Sequence, residues 1–197
     1  MASENLISRQ ICILNVISIR CSATSDSTTG HEKPDLHNDA KISRSHRAAV
    51  LPSVLLCNVR AIANKIDELE CVCNLNSADV VCVTETWLTD TIPDSAVSMK
   101  NYVLFRRDRP TYAGGIAAYI NCDIPCQIVS TPMLVDSPTE ILWIKLRPRR
   151  LPRPVSIILL GIIYYPPHAT AEDNNVLYQH VRETVDSFTF NHPDCLV

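Results

Sequence analysis

The chain has 197 residues, 46% of them hydrophobic and 20% charged, with a formal net charge of −3. Four glycines against thirteen prolines exclude collagen-like and Gly/Ser-linker chains, and the charge excludes a polycation that coats nucleic acid wholesale, though not a local basic patch. The longest apolar run, 155–165, is strand-sized and short of the ~20 residues a membrane helix needs.

The first fifty residues have little core-forming content. A short apolar stretch at 11–19 is broken by Asn15 and Ser18, with Glu4 before it and Arg20 after it. It lacks the basic start and clean apolar centre of a signal peptide, so it reads as a short strand in a protein that is not secreted. Residues 21–47 are rich in Ser, Thr, Asp and His and cannot bury enough surface to offset their ordering entropy. Residues 1–50 are therefore expected to be disordered or poorly structured, and 51–197 to form the folded, acidic part.

From Leu51 the pattern changes. Residues 54–57 are a continuous apolar run typical of a buried strand. In 64–76, Ile66, Leu69, Val72 and Cys73 recur at helical spacing between acidic residues. Residues 79–84 (DVVCVT) predict a second buried strand, so the two strands should be parallel and joined by a right-handed crossover. Short strands are predicted at 102–105 and 115–120, an alternating one at 140–146 and a long buried one at 155–164. A basic, proline-rich turn (KLRPRRLPRP) separates the last two. Thr170, with Asp173 three residues on, predicts a capped helix to about residue 190, with Leu177, Val181, Thr184, Val185 and Phe188 inward. Residues 194–197 begin one more strand. The fold class is α/β.

Nine cysteines are an odd number, and Cys57 and Cys82 sit inside apolar runs, which reads as reduced core residues in an intracellular protein. The close pairs, Cys71 with Cys73 and Cys122 with Cys126, lack zinc-knuckle spacing. His168, His180 and His192 show no metal spacing, and His180 is expected on the helix surface.

Three polar residues end apolar strands: Asn58, Glu85 and Tyr164. Ligands of open α/β sheets bind at the carboxyl ends of strands. Adjacent strands lie about 5 Å apart, so Asn58 and Glu85 could reach one ion. A carboxylate with an amide oxygen is hard-oxygen chemistry suited to Mg²⁺ or Mn²⁺. Glu85 alone could equally be a solvated strand-end acid, and Trp87 reads as packing rather than a stacking platform.

Around these residues stand N-V-R-x-x-x-N-K (Asn58 to Lys65), T-E-T-W-L (Thr84 to Leu88), R-x-D-R ending at Arg109, G-G-I-A-A-Y (Gly114 to Tyr119) and Y-x-P-P (Tyr164 to Pro167). In this order they resemble the endonuclease/exonuclease/phosphatase superfamily, and most closely the apurinic-like endonuclease domain of non-LTR (LINE-like, jockey-like) retrotransposons. The resemblance implies a four-layer α/β sandwich acting on DNA with Mg²⁺ or Mn²⁺, without a membrane or a small organic cofactor. It implies that Glu85 binds the metal, that Asn58 helps set metal and phosphate geometry, and that Tyr164 donates a hydrogen bond to the scissile phosphate. Arg107 and Arg109 would lie near the DNA backbone. Arg149 and Arg150, in the basic turn, could touch phosphates or simply form a solvated hairpin tip.

Two further motifs of that family, G-D-F-N and S-D-H, do not occur in the sequence. The expectation is therefore a partial domain: the first sheet with its helices, little of the second, an inner apolar face left uncovered, and no hydrolysis. Two alternatives remain: another phosphatase or exonuclease of the superfamily, and a non-catalytic nucleic-acid-binding or inert fragment.

Overall fold

A computed structural model describes residues 12–17, 49–109, 113–132, 134 and 137–197. In chain order they form β1 (Cys12–Ile17), β2 (Val54–Asn58), α1 (Ile66–Asn76), β3 (Val80–Thr84), β4 (Tyr102–Arg107), β5 (Ile116–Asn121), β6 (Cys126–Ile128), β7 (Glu140–Leu146), β8 (Ile157–Tyr164), α2 (Ala171–Asn191) and β9 (Cys195–Leu196). None of the described helices is long and apolar enough to cross a membrane.

The strands make two sheets, ordered β1-β2-β3-β5-β4 and β6-β7-β8-β9. The β2–α1–β3 unit is a parallel crossover, with Asn58 level with Thr84. Alternation along each strand then assigns three packing layers. Leu55, Cys57, Val81 and Val83 face Leu69 and Cys73 of α1. Val80, Cys82, Ile116, Ala118 and Ile120 face Leu142, Ile144, Leu146 and Ile162 of the second sheet. Ile141, Trp143 and Leu159 face Leu177 and Phe188 of α2. The result is a four-layer sandwich, helix–sheet–sheet–helix. Each fully buried aliphatic side chain in it contributes about 1.5–3 kcal/mol by leaving water.

Two expectations about the sheets change. The second sheet is more than a remnant: β7 pairs with β8 over its whole length, and β6 and β9 join them on either side. The inner face of the first sheet is accordingly covered, because the inward residues of β7 and β8 supply the opposing apolar surface. Cys12–Ile17 pairs antiparallel with β2, so the short strand read within 11–19 is an edge strand of the first sheet. Residues 21–47 lie outside the described residues.

His180 is buried rather than on the surface. Its Nε2 accepts a hydrogen bond from the Trp143 indole at 3.3 Å, which gives a polar group an inward place on α2. Burial pushes its imidazole pKa down. Thr170 and Asp173 form the expected capping box. Gly161 lies directly across from Trp143, and a Cβ there would run into the indole ring. Cys57, Cys73 and Cys82 are buried free thiols, while Cys71 and Cys122 are exposed.

Candidate active site

Strand direction brings seven strand ends to one edge of the sandwich: the carboxyl ends of β2, β3, β4 and β8 and the amino ends of β1, β5 and β7. At that edge the inward positions turn polar. Asn58 continues the inward series Val54 and Leu56, and Thr84 continues Val80 and Cys82. Arg107 follows Phe105, Glu140 precedes Leu142, and Tyr164 follows Ile162. A polar layer therefore caps the apolar filling between the sheets.

Glu85 is the first residue past β3 and takes a left-handed backbone conformation, φ 58°. Arg60, Ala61 and Trp87 are also left-handed. Such angles cost free energy in residues with a Cβ and persist only where neighbours impose them. The imposing bonds are a ladder that outlasts the strands. The Val59 and Ala61 amides donate to the Thr84 and Glu85 carbonyls, and the Thr86 and Trp87 amides donate to Gly115 and Gly114. Lys65 is buried, and its ammonium donates to the carbonyls of Val59 at 2.6 Å and Arg60 at 3.1 Å. Lys65 thus pins the loop after β2, a role its place in the N-V-R-x-x-x-N-K motif did not disclose.

Both carboxylate oxygens of Glu85 are engaged. The Trp87 indole donates to Oε2 at 2.5 Å, and the Tyr164 phenol donates to Oε1. The Arg60 guanidinium lies 5.5 Å from the centre of the Trp87 ring, a cation–π arrangement at the rim. Glu85 and Tyr164 are therefore brought together across the two sheets. Asn58 sits on the neighbouring strand, level with Thr84 and on the same inward face.

The four arginines divide. Arg107 donates to the Ile141 carbonyl at 2.9 Å, and Arg109 donates to the Pro138 carbonyl at 2.8 Å. Both guanidiniums clamp the end of β4 to the start of β7. Arg149 and Arg150 are exposed past the far end of β7, about 20 Å of strand away from Glu140 and Tyr164. The structure does not bring these two to the strand-end cluster.

Glu140 is the member that sequence reasoning missed. It is buried, its Oε2 accepts from the Gly115 amide at 2.7 Å, and Arg109 Nε stands 3.3 Å from its Oε1. Among the described residues that Oε1 accepts no hydrogen bond. Burial pushes its pKa up, against the pull of Arg109, the Gly115 amide and Arg107, while the Glu85 charge pushes the same way as burial. The available signal was its parity: in E-I-L-W-I-K-L, Glu140 shares the inward register of Leu142 and Leu146.

Among the described residues no three His, Cys, Asp or Glu side chains cluster as a metal cage. The residues able to hold a hard cation here are Glu85 and Asn58. Each carboxylate oxygen has two lone-pair sites, so Glu85 can accept its present bonds and still coordinate. One carboxylate and one amide oxygen fit an ion such as Mg²⁺, which keeps several waters and takes few protein ligands.

No family model matches the chain, and no curated protein matches it. Among solved structures it is similar to the AP endonuclease LMAP from Leishmania major, at 18% identity and a TM-score of 0.41, over 55% of this chain and 38% of that one. It is also similar to an AP endonuclease from Archaeoglobus fulgidus, at 16% identity and a TM-score of 0.42, over 64% of this chain and 49% of that one. The match thus spans less than half the length of either structure.

Proposed function

We propose that this chain carries part of a divalent-cation-dependent phosphodiesterase site for DNA, of the apurinic-endonuclease kind found in non-LTR retrotransposon polyproteins. The observation that supports it is the hydrogen bond from Tyr164 to Glu85 across the sheets, at the edge where Asn58 also ends its strand. In this reading Glu85 and Asn58 hold Mg²⁺ or Mn²⁺. When bound, the cation supplies Lewis acidity and offsets charge on the scissile phosphate. Tyr164 keeps its phenol proton and exchanges Glu85 for a phosphate oxygen as acceptor, stabilising charge that builds there. The Trp87 indole holds the Glu85 carboxylate in one orientation meanwhile. Arg107 and Arg109 act on DNA by their field, since their guanidiniums are engaged at the sheet edge. Arg149 and Arg150 are exposed for backbone phosphates away from the cut.

The motifs G-D-F-N and S-D-H, whose side chains would orient water and pair on the phosphate, are not in this sequence. The 197-residue protein is therefore expected to bind Mn²⁺ without nicking DNA. Mn²⁺ titration followed by electron paramagnetic resonance tests the site: Glu85→Ala should weaken binding by ~10-fold or more. Equal binding by parent and variant would remove the metal reading. Nicking of supercoiled plasmid that disappears in Glu85→Ala would keep the site and overturn the inactivity. Salt-dependent DNA binding that ignores both Mn²⁺ and Glu85 favours a non-catalytic binder instead.

A further inference from the structure

A closed circuit of contacts runs through the strand-end cluster. Glu140 accepts from the Gly115 amide. The Gly115 and Gly114 carbonyls accept from the Thr86 and Trp87 amides. The Trp87 indole donates to Glu85, and Glu85 accepts from Tyr164. Tyr164 stands directly across from Glu140 in the β7–β8 pair, which closes the circuit. Every member except Glu140 belongs to a motif already singled out.

We propose that Glu140 is the positioning residue of the site: its buried carboxylate fixes the Gly114–Gly115 turn, and through that turn the Glu85–Trp87 loop, against the strand that carries Tyr164. The proposal deepens the reading of Glu85 and Tyr164 as the working pair and rests on it.

Three observations carry the assignment. The Gly114–Gly115 turn has two successive left-handed residues, φ 103° and 83°, which glycine adopts without strain, and the Gly115 amide that this turn presents finds its acceptor in Glu140. A Cβ on Gly114 would lie 2.8 Å from Glu140 Oε1 and 2.9 Å from Arg109 Cδ, so the turn is seated directly on the acid. A buried carboxylate is costly, and Glu140 lies where an apolar residue would simply extend the inter-sheet packing. Among the described residues its one hydrogen bond goes to that turn and its one ion pair to Arg109. Positioning acts here through backbone, so the acceptor oxygen matters more than the charge.

The chain has two tryptophans, and each indole N–H is hydrogen-bonded, Trp87 to Glu85 and Trp143 to His180. Their two indole peaks in a ¹⁵N–¹H spectrum of the full chain are a built-in probe and control. In Glu140→Ala the Trp87 indole should exchange with solvent ~10-fold faster or more, while Trp143 keeps its protection. In Glu140→Gln, whose amide oxygen can still accept from Gly115, both should keep their protection. Unchanged Trp87 exchange in Glu140→Ala overturns the proposal, and so does loss of Trp87 protection in a folded Glu140→Gln. Should Glu140→Ala lose both peaks by unfolding, the Gln variant decides alone. The readout uses no metal, so the Mn²⁺ reading and the Glu140 assignment fail by separate results.

Discussion

The phenol of Tyr164 donates a hydrogen bond to the carboxylate of Glu85, a residue 79 positions earlier in the chain and just past a strand of the other sheet. Each side chain continues a strand of the sandwich, so the bond is a bridge between the sheets at one edge.

If that bridge is a single interaction, removing either end should remove all of it. Tyr164→Phe is expected to lower the unfolding free energy by about 1 kcal/mol, and Glu85→Ala, which also releases the Trp87 indole, by more. In urea unfolding, adding Tyr164→Phe to Glu85→Ala should cost little further, which is the coupling the cycle measures. Fully additive losses would mean that the two groups are stabilised separately.

The left-handed backbone of Glu85 is a second, separable quantity. Glu85→Ala and Glu85→Gly both delete the carboxylate, but only glycine relaxes at φ 58°. The glycine variant should be the more stable of the two by about 1 kcal/mol, the cost of holding a Cβ there. Equal stabilities would show that the loop around residue 85 relaxes once its side chain is gone.

Lys65 supports the same edge from behind. Its ammonium is buried and bonds two carbonyls of the loop that follows β2. Lys65→Met keeps the packing volume but leaves those carbonyls without their donor, at about 1–3 kcal/mol. Limited trypsin digestion should then cut faster after Arg60, which is already exposed. An unchanged cleavage rate would mean that the strand-end ladder holds this loop without Lys65.

The cysteines divide by environment. Burial pushes the thiols of Cys57, Cys73 and Cys82 up to about 11, 12 and 12, so almost none is thiolate near neutrality. Iodoacetamide at pH 7.5 should label Cys71 and Cys122 well before these three, as read by peptide mass mapping. Early labelling of Cys57 or Cys82 would indicate that β2 and β3 open readily.

Much of this arrangement was legible because local signals agreed with the tertiary packing. The runs at 54–57 and 79–84 and the helical spacing between them gave the β2–α1–β3 crossover. Thr170 and Asp173 marked the start of α2 by chemistry internal to one turn. β6 was not legible: Cys126–Ile128 is three residues long, follows Pro125, and is a strand only because β7 pairs with it. The extent of the second sheet was missed for a related reason. The predicted strands at 140–146 and 155–164 were read separately, whereas their pairing supplies a whole inner face. Glu140 was hidden by its apolar neighbours, since an acid at a strand's first residue usually faces water. His180 was misjudged because its burial depends on a tryptophan 37 positions away.

The His180–Trp143 pair makes stability depend on pH. In the folded protein His180 accepts from the indole, so its Nε2 carries no proton, and burial lowers its pKa below the usual 6.5. Arg107 pushes the same way and Glu183 opposes it. The unfolded chain therefore takes up a proton near 6.5 before the native state does, and stability falls as pH drops from there toward the lowered native value. Above that window both states are neutral at this site and the full contribution is present. Glu140 acts in the opposite direction, because its raised pKa lets the native state bind a proton first as pH falls. Urea unfolding from pH 8 to pH 5 in a Glu140→Gln background should then show a loss of stability below about 6.5. Replacing His180 with Gln should flatten that slope. A slope that persists unchanged in His180→Gln would assign the proton uptake to another group.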